Sequence, residues 1–268
     1  MQKVILCLVI ACGLLVASGC ADSSELRGKT PESFQHILKL RGYNFDEKGF
    51  FAAAQARDLM AINAFIDAGI NPNAQDADGR TVLISAAARG ELDVVNTLLA
   101  RGVDINVKDK VGFTALSHAI DAMHDEVEEA LLNRPGLDPN CRGKNDRPAL
   151  IAYVWRDNKA RVEKLLAHGA DLNLQDADGD TALHGAAQSG NVEIMRLLLD
   201  KGANPNAKNK EGGTPLMWAA VYGNDDAARL LLSRGADPSL KDNDGVTAAQ
   251  WAVRNKRDSV AALLRGKR

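Results

Sequence analysis

Residues 176–206 read DADGDTALHGAAQSGNVEIMRLLLDKGANPN. Gly179 falls in a tight turn where φ > 0 would penalise a Cβ, and Thr181 is placed to cap a helix. His184, three residues on, can hydrogen-bond back across the first turn. The pair Ala186-Ala187 lets a second helix approach closely, Leu197 and Leu198 supply that helix's apolar ridge, and Gly202 ends it in the left-handed conformation. The stretch is a turn, a helix, a turn and a second helix.

The same frame returns along the chain as Asp76-Ala-Asp-Gly-Arg-Thr81, Asp109-Lys-Val-Gly-Phe-Thr114, Asn209-Lys-Glu-Gly-Gly-Thr214 and Asp242-Asn-Asp-Gly-Val-Thr247. The steps from Gly79 to Gly112, Gly179 to Gly212 and Gly212 to Gly245 are each 33 residues. A fixed period of this length marks a stack of supersecondary units. The units resemble the ankyrin repeat, over roughly residues 46–268. The resemblance implies an all-α solenoid of helix-turn-helix units joined by β-hairpin-like finger loops.

Seven units are expected. The five central ones start near Asp76, Asp109, Gly143, Asp176 and Asn209, and the last runs from Asp242 to a charged end at Arg268. The first is degenerate, with Lys48 where the capping threonine belongs. Ahead of it, residues 30–45 read as an N-terminal capping helix with Pro31 at its first position, and Phe34, Ile37, Leu38 and Tyr43 are expected to cover the open end of the stack. One junction departs from the pattern. The third unit is one residue longer than its neighbours and carries Pro135 where the helix-ending glycine should be; the fourth has Asp146 for the turn glycine and Pro148 for threonine. A local irregularity or change of twist is predicted there.

The repeat accounts for the composition: 46% of residues are hydrophobic but only 4% aromatic. Short helices in contact at alanines need few large rings. With 33 basic against 35 acidic side chains, the chain has no basic excess for a nucleic-acid backbone, whose binding rests on phosphate neutralisation.

The N-terminus reads as an address. Lys3 precedes an apolar run from Val4 to Val16, 13 residues long, the length of a secretory signal and short of the roughly 20 that span a bilayer. Ala17-Ser18-Gly19-Cys20 resembles the lipobox of bacterial lipoproteins. That resemblance implies a signal peptide over residues 1–19, lipid attachment at Cys20, a tether over 20–29, and anchoring in the cell envelope. With Ala21 after the cysteine, it implies the outer membrane, facing the periplasm. Cys7 and Cys12 would leave with the signal, so Cys20 and Cys141 form no disulfide framework.

Identity between repeats is explained by folding, and no catalytic, phosphate-binding or metal motif stands out. No catalytic residue, cofactor or metal is therefore assigned. The densest group of ligand-type side chains is His118, Asp121, His124, Asp125 and Glu128, read as a solvated surface because His118 and His124 do not share a helix face. Cys141 is read as a small hydrophobe in a half-buried site. In ankyrin-repeat proteins, partners are contacted by residues flanking the turn glycine and by the two preceding the inter-helix glycine. Carried onto this chain, the resemblance selects Arg89, Phe113, Trp155, Arg156, Tyr222 and Arg254, residue types that dominate interface energetics. Trp218 and Trp251, one step deeper, are expected to pack between repeats.

The expected function is a monomeric, non-catalytic protein-binding module with an unidentified protein partner on its concave face, attached to the membrane by its lipid. A toxin-neutralising immunity lipoprotein and a periplasmic stress-protection factor are more specific versions. The competing class is an enzyme sited at the third–fourth junction, around His118, His124 and Cys141.

Overall fold

The computed structural model describes residues 30–266; the expected signal segment, Cys20 and the tether lie outside them. Within that range the chain is helical, with isolated β-bridges at Arg142–Pro148 and Lys241–Thr247. No helix among the described residues is long and apolar enough to cross a membrane. The chain divides into two compact units after Ala74.

The first unit holds α1 (Pro31–Leu40), α2 (Glu47–Gln55) and α3 (Leu59–Asp67). Phe34 and Leu38 are buried on α1, which packs on α3. Phe65 of α3 gathers Tyr43, Phe45 and Phe50 around it, with ring centroids 5.6–6.1 Å apart. Helix α2 begins ahead of Lys48. The side chain of Asp46 accepts from the Gly49 N–H at 2.7 Å, so an aspartate upstream supplies the cap that the threonine frame leaves vacant.

The second unit is six helix pairs: α4 (Val82–Arg89) with α5 (Leu92–Ala100), α6 (Ala115–Ala122) with α7 (Asp125–Leu132), α8 (Ala149–Trp155) with α9 (Lys159–Ala167), α10 (Ala182–Ser189) with α11 (Val192–Asp200), α12 (Pro215–Tyr222) with α13 (Asp225–Ser233), and α14 (Ala248–Arg254) with α15 (Asp258–Arg265). The first helices pack on one another in one row and the second helices in another. Ala86, Ala119, Ala186 and Ala219 are fully buried in the first row, as expected where small side chains let backbones approach.

Each regular finger is closed by its own aspartate or asparagine. Oδ1 of Asp76 accepts from the N–H groups of Asp78 and Arg80, both at 2.9 Å, and Asp109, Asp176, Asn209 and Asp242 repeat the pattern. Neighbouring fingers are joined through backbone, as in Lys210 N–H to Asp178 C=O at 3.2 Å. Gly179 permits this approach: it has φ +83°, and a Cβ there would lie 2.6 Å from the Lys210 nitrogen. Gly235 also has positive φ (+88°) but faces open space. Gly179→Ala is therefore expected to lose more than the about 1–2 kcal/mol of left-handed strain that Gly235→Ala loses, measured as urea midpoints at matched slopes.

The cap inferred for residues 181–184 is present. Nδ1 of His184 accepts from the Thr181 N–H at 3.1 Å, so Nε2 carries the proton and donates to the Gly213 carbonyl at 3.2 Å. The ring is fully buried, and burial lowers its pKa below the ordinary 6.5. The unfolded chain then binds the proton more tightly, and stability must fall as pH drops through 6.5 toward the folded value. Urea titrations at pH 7.5 and 5.5 should show that loss in the native chain, and His184→Gln should remove this contribution.

The irregular junction lies between α7 and α8. Pro135 is followed by Gly136 at φ +79°, so the helix-ending glycine moves one residue on and absorbs the insertion. In the finger at 142–147, Asn145 (φ +60°) and Asp146 (φ +54°) hold left-handed backbone without glycine. The α6–α8 contact is the thinnest in the first row.

Candidate protein-binding surface

Three side chains explain the thin contact. Tyr153 occupies on α8 the position that is Ala86, Ala119, Ala186 and Ala219 elsewhere. It is fully buried, so a ring stands where the other repeats bring backbones together. Glu128 on α7 replaces the Val95, Val162, Met195 or Ala228 of other repeats, and Arg161 on α9 replaces Val94, Val127, Ile194 or Ala227. The carboxylate of Glu128 has no exposure and accepts from Arg156 Nη1 at 2.9 Å and Arg161 Nη1 at 2.6 Å. Arg161 also donates to Asp125 Oδ1 at 2.6 Å and to its carbonyl at 2.9 Å; this guanidinium lowers the Asp125 pKa. Both guanidinium carbons lie near the Tyr153 ring, 6.0 Å for Arg156 and 5.6 Å for Arg161 from its centroid, within cation–π range. Burial and the neighbouring carboxylate push the Tyr153 phenol far up.

The reading of the ligand-type group as a solvated surface fits Asp121 and Asp125, which are exposed, and is corrected for Glu128, a core residue holding two arginines. His118 is also engaged internally, with Nε2 2.7 Å from Asp109 Oδ2, and His124 Nε2 lies 3.2 Å from the Ala88 carbonyl. A hydrogen bond to that carbonyl requires the His124 N–H to donate.

Where α6 and α8 part, a cleft of about 220 Å³ opens. Ile120, Met123 and Trp155 give it apolar walls, and Asp121, Arg147 and Arg156 its polar ones. Cys141 also lines it but is buried rather than half-buried, at 2% exposure, and burial pushes its thiol up to about 12. That keeps it protonated and unreactive. His118 and His124 do not line this cleft, so the three residues named for an enzyme at this junction do not converge.

The face proposed for partner contact comprises the fingers and the ends of the first helices. Trp155 and Tyr222, at those helix ends, are 44% and 43% exposed. Tyr222 is held in place: its hydroxyl accepts from Gln188 Nε2 at 2.9 Å, and its ring lies 6.0 Å from that of Trp218. Arg89 is exposed and clamped by Glu91 in two bonds of 2.7 and 2.8 Å. Arg254 is exposed over the Trp251 ring, 5.5 Å from its centroid, and Phe113 lies half-buried, edge-on to His118. Arg156 differs from the rest, since its guanidinium is committed to Glu128 and to the Ile120 carbonyl. The indoles of Trp218 and Trp251 donate inward to Asp180 and Asp242.

Sequence reasoning missed Tyr153, Glu128 and Arg161 as a set. The signal was present, as three departures in consecutive units from a column of small or apolar residues.

The ankyrin-repeat family model matches residues 50–143 and 149–242, leaving out part of the irregular finger. An ankyrin repeat-containing protein from Treponema pallidum (strain Nichols) is 34% identical over 157 residues, which is 59% of this chain and 53% of that protein. An L-asparaginase from Dirofilaria immitis is 31% identical over 164 residues, 61% of this chain but 28% of the relative. This chain thus spans about half of the first relative and less of the second. Among solved structures, an ankyrin repeat domain from Acinetobacter baumannii is 31% identical with a TM-score of 0.62, covering 69% of this chain and 96% of that one.

Proposed function

The chain belongs to the ankyrin-repeat family, a fold that generally serves protein–protein interaction, and from that premise we propose a monomeric, non-catalytic binding module tethered to the bacterial cell envelope. The observation that carries the binding surface is the pair of half-exposed aromatics, Trp155 and Tyr222, one residue apart in the repeat frame at the ends of first helices two repeats apart. Large rings have few rotatable bonds, lose little entropy on contact and are typical anchors. The tether rests on the sequence from Met1 to Ala21: the apolar run and the small residues before Cys20 suit lipid attachment, and Ala21 after it suits outer-membrane placement facing the periplasm. More than one acyl chain is needed for stable anchoring.

Two measurements test the two halves separately. Replacing Trp155 and Tyr222 together by alanine should weaken capture of envelope proteins at least about tenfold while leaving helicity unchanged. Undiminished capture would remove this surface from consideration. Arg156 is left native in this variant, because truncating it would expose the buried Glu128 carboxylate to loss of a partner. Cys20→Ala should move the chain from the membrane to the soluble fraction, and continued membrane association would overturn the lipid tether.

A further inference from the structure

The finger at residues 142–147 is the most basic of the six in the second unit, with Arg142, Lys144 and Arg147 against Asp146 alone. It is also built differently. Gly143 stands where the other fingers carry their closing aspartate or asparagine, and Asp121 of α6 fills the space: a Cβ on Gly143 would lie 2.8 Å from both carboxylate oxygens. Asp121 Oδ2 accepts the Lys144 N–H at 2.7 Å, a donor that in the Lys110, Lys210 and Asn243 fingers goes to the preceding finger. Arg142 is tied to Asp146 and to the Gln175 carbonyl. Lys144 and Arg147 are exposed, and among the described residues their side chains meet no anion. Arg147 lines the cleft beside Trp155, and Met123, 73% exposed, forms another of its walls.

The cleft therefore offers apolar walls next to two uncommitted cations, while Asp121, its own carboxylate, is already accepting a hydrogen bond from the finger. At about 220 Å³ it far exceeds the ~10–15 Å³ of the same kind of volume that one water needs. We propose that it is the specificity pocket of the interaction face, taking an apolar side chain of a protein partner whose flanking carboxylates pair with Arg147 and Lys144. This rests on the binding surface argued above. It narrows the partner to one presenting an acidic segment with a central aliphatic or aromatic residue. Opposite charges at such a rim act chiefly through partner choice and association rate.

The test uses the full-length chain and three blocked dodecapeptides, each with a central photo-leucine, flanked by glutamates, glutamines or lysines. On irradiation, the glutamate peptide should label Ile120, Met123 or Trp155 at least about fivefold more than the other two, the scale of one or two exposed ion pairs. Arg147→Glu combined with Lys144→Glu should reverse the order in favour of the lysine peptide. Neither side chain makes a hydrogen bond or ion pair among the described residues, the Lys144 contact to Asp121 being a backbone one that the substitution keeps, and an unchanged urea midpoint would verify the variant's fold. Equal labelling by all three peptides, labelling elsewhere, no labelling, or an order unchanged in the variant would overturn the proposal. Should it fail while capture still depends on Trp155 and Tyr222, the binding surface stands and only the acidic specificity falls.

Discussion

Glu128→Ala is expected to destabilise the chain by about 3–5 kcal/mol, the range found when one member of a buried ion pair is removed and the other is left uncompensated. The geometry places this variant at the upper end. Both oxygens of the carboxylate are used, by two different arginines, and neither bond is open to solvent on the glutamate side. Arg161, only 10% exposed at its side chain, keeps Asp125 as a partner, so the loss should stop short of complete unfolding. A companion variant separates charge from packing. Glu128→Val with Arg161→Val gives both positions residues found at equivalent places in other repeats, and it should recover most of the loss, because well-packed apolar replacements of buried ion pairs are often neutral or better. Urea unfolding of the three proteins checks both statements. A Glu128→Ala loss below about 1 kcal/mol would place that carboxylate in the class of exposed pairs.

Tyr153→Ala is expected to cost a similar about 3–5 kcal/mol, the usual penalty for deleting a buried aromatic ring. Alanine is what most other repeats carry at this position, so simple repeat logic would call the change harmless. The structure says otherwise, since the neighbouring helices are arranged around the ring and two guanidinium groups lie against it. Tyr153→Phe keeps the ring and removes a buried hydroxyl with no hydrogen-bond partner of normal geometry, so it should change stability by less than about 1 kcal/mol. A large loss in the phenylalanine variant would show that the hydroxyl, rather than the ring, holds the junction.

These two residues mark the border of what the sequence made legible. The repeat period, the two helices per unit, the Thr181–His184 cap and the place of the irregularity all follow from spacing and turn chemistry, because they depend on neighbours a few residues away. The inward bonds of the Trp218 and Trp251 indoles likewise agree with their depth in the repeat. What the period could not show is compensation across units. Glu128, Tyr153 and Arg161 each read as a polar or oversized error in its own repeat, and only their meeting in space turns three faults into one satisfied cluster. The same applies to Arg156, whose position in its repeat predicts a partner contact while Glu128 draws it inward. For the degenerate first unit the frame misled by placing the cap at Lys48, because any nearby aspartate can satisfy the same N–H groups.

The thin α6–α8 contact also bears on how the second unit comes apart. In a stack where each repeat touches only its neighbours, cooperativity is carried by the interfaces between them. The interface that has exchanged alanine contacts for ions is the one where the first-row helices touch least, and it divides two helix pairs on one side from four on the other. Unfolding can start at either end of the unit, and this seam is where it is expected to pause, so that the second unit would melt as two blocks joined by an electrostatic latch.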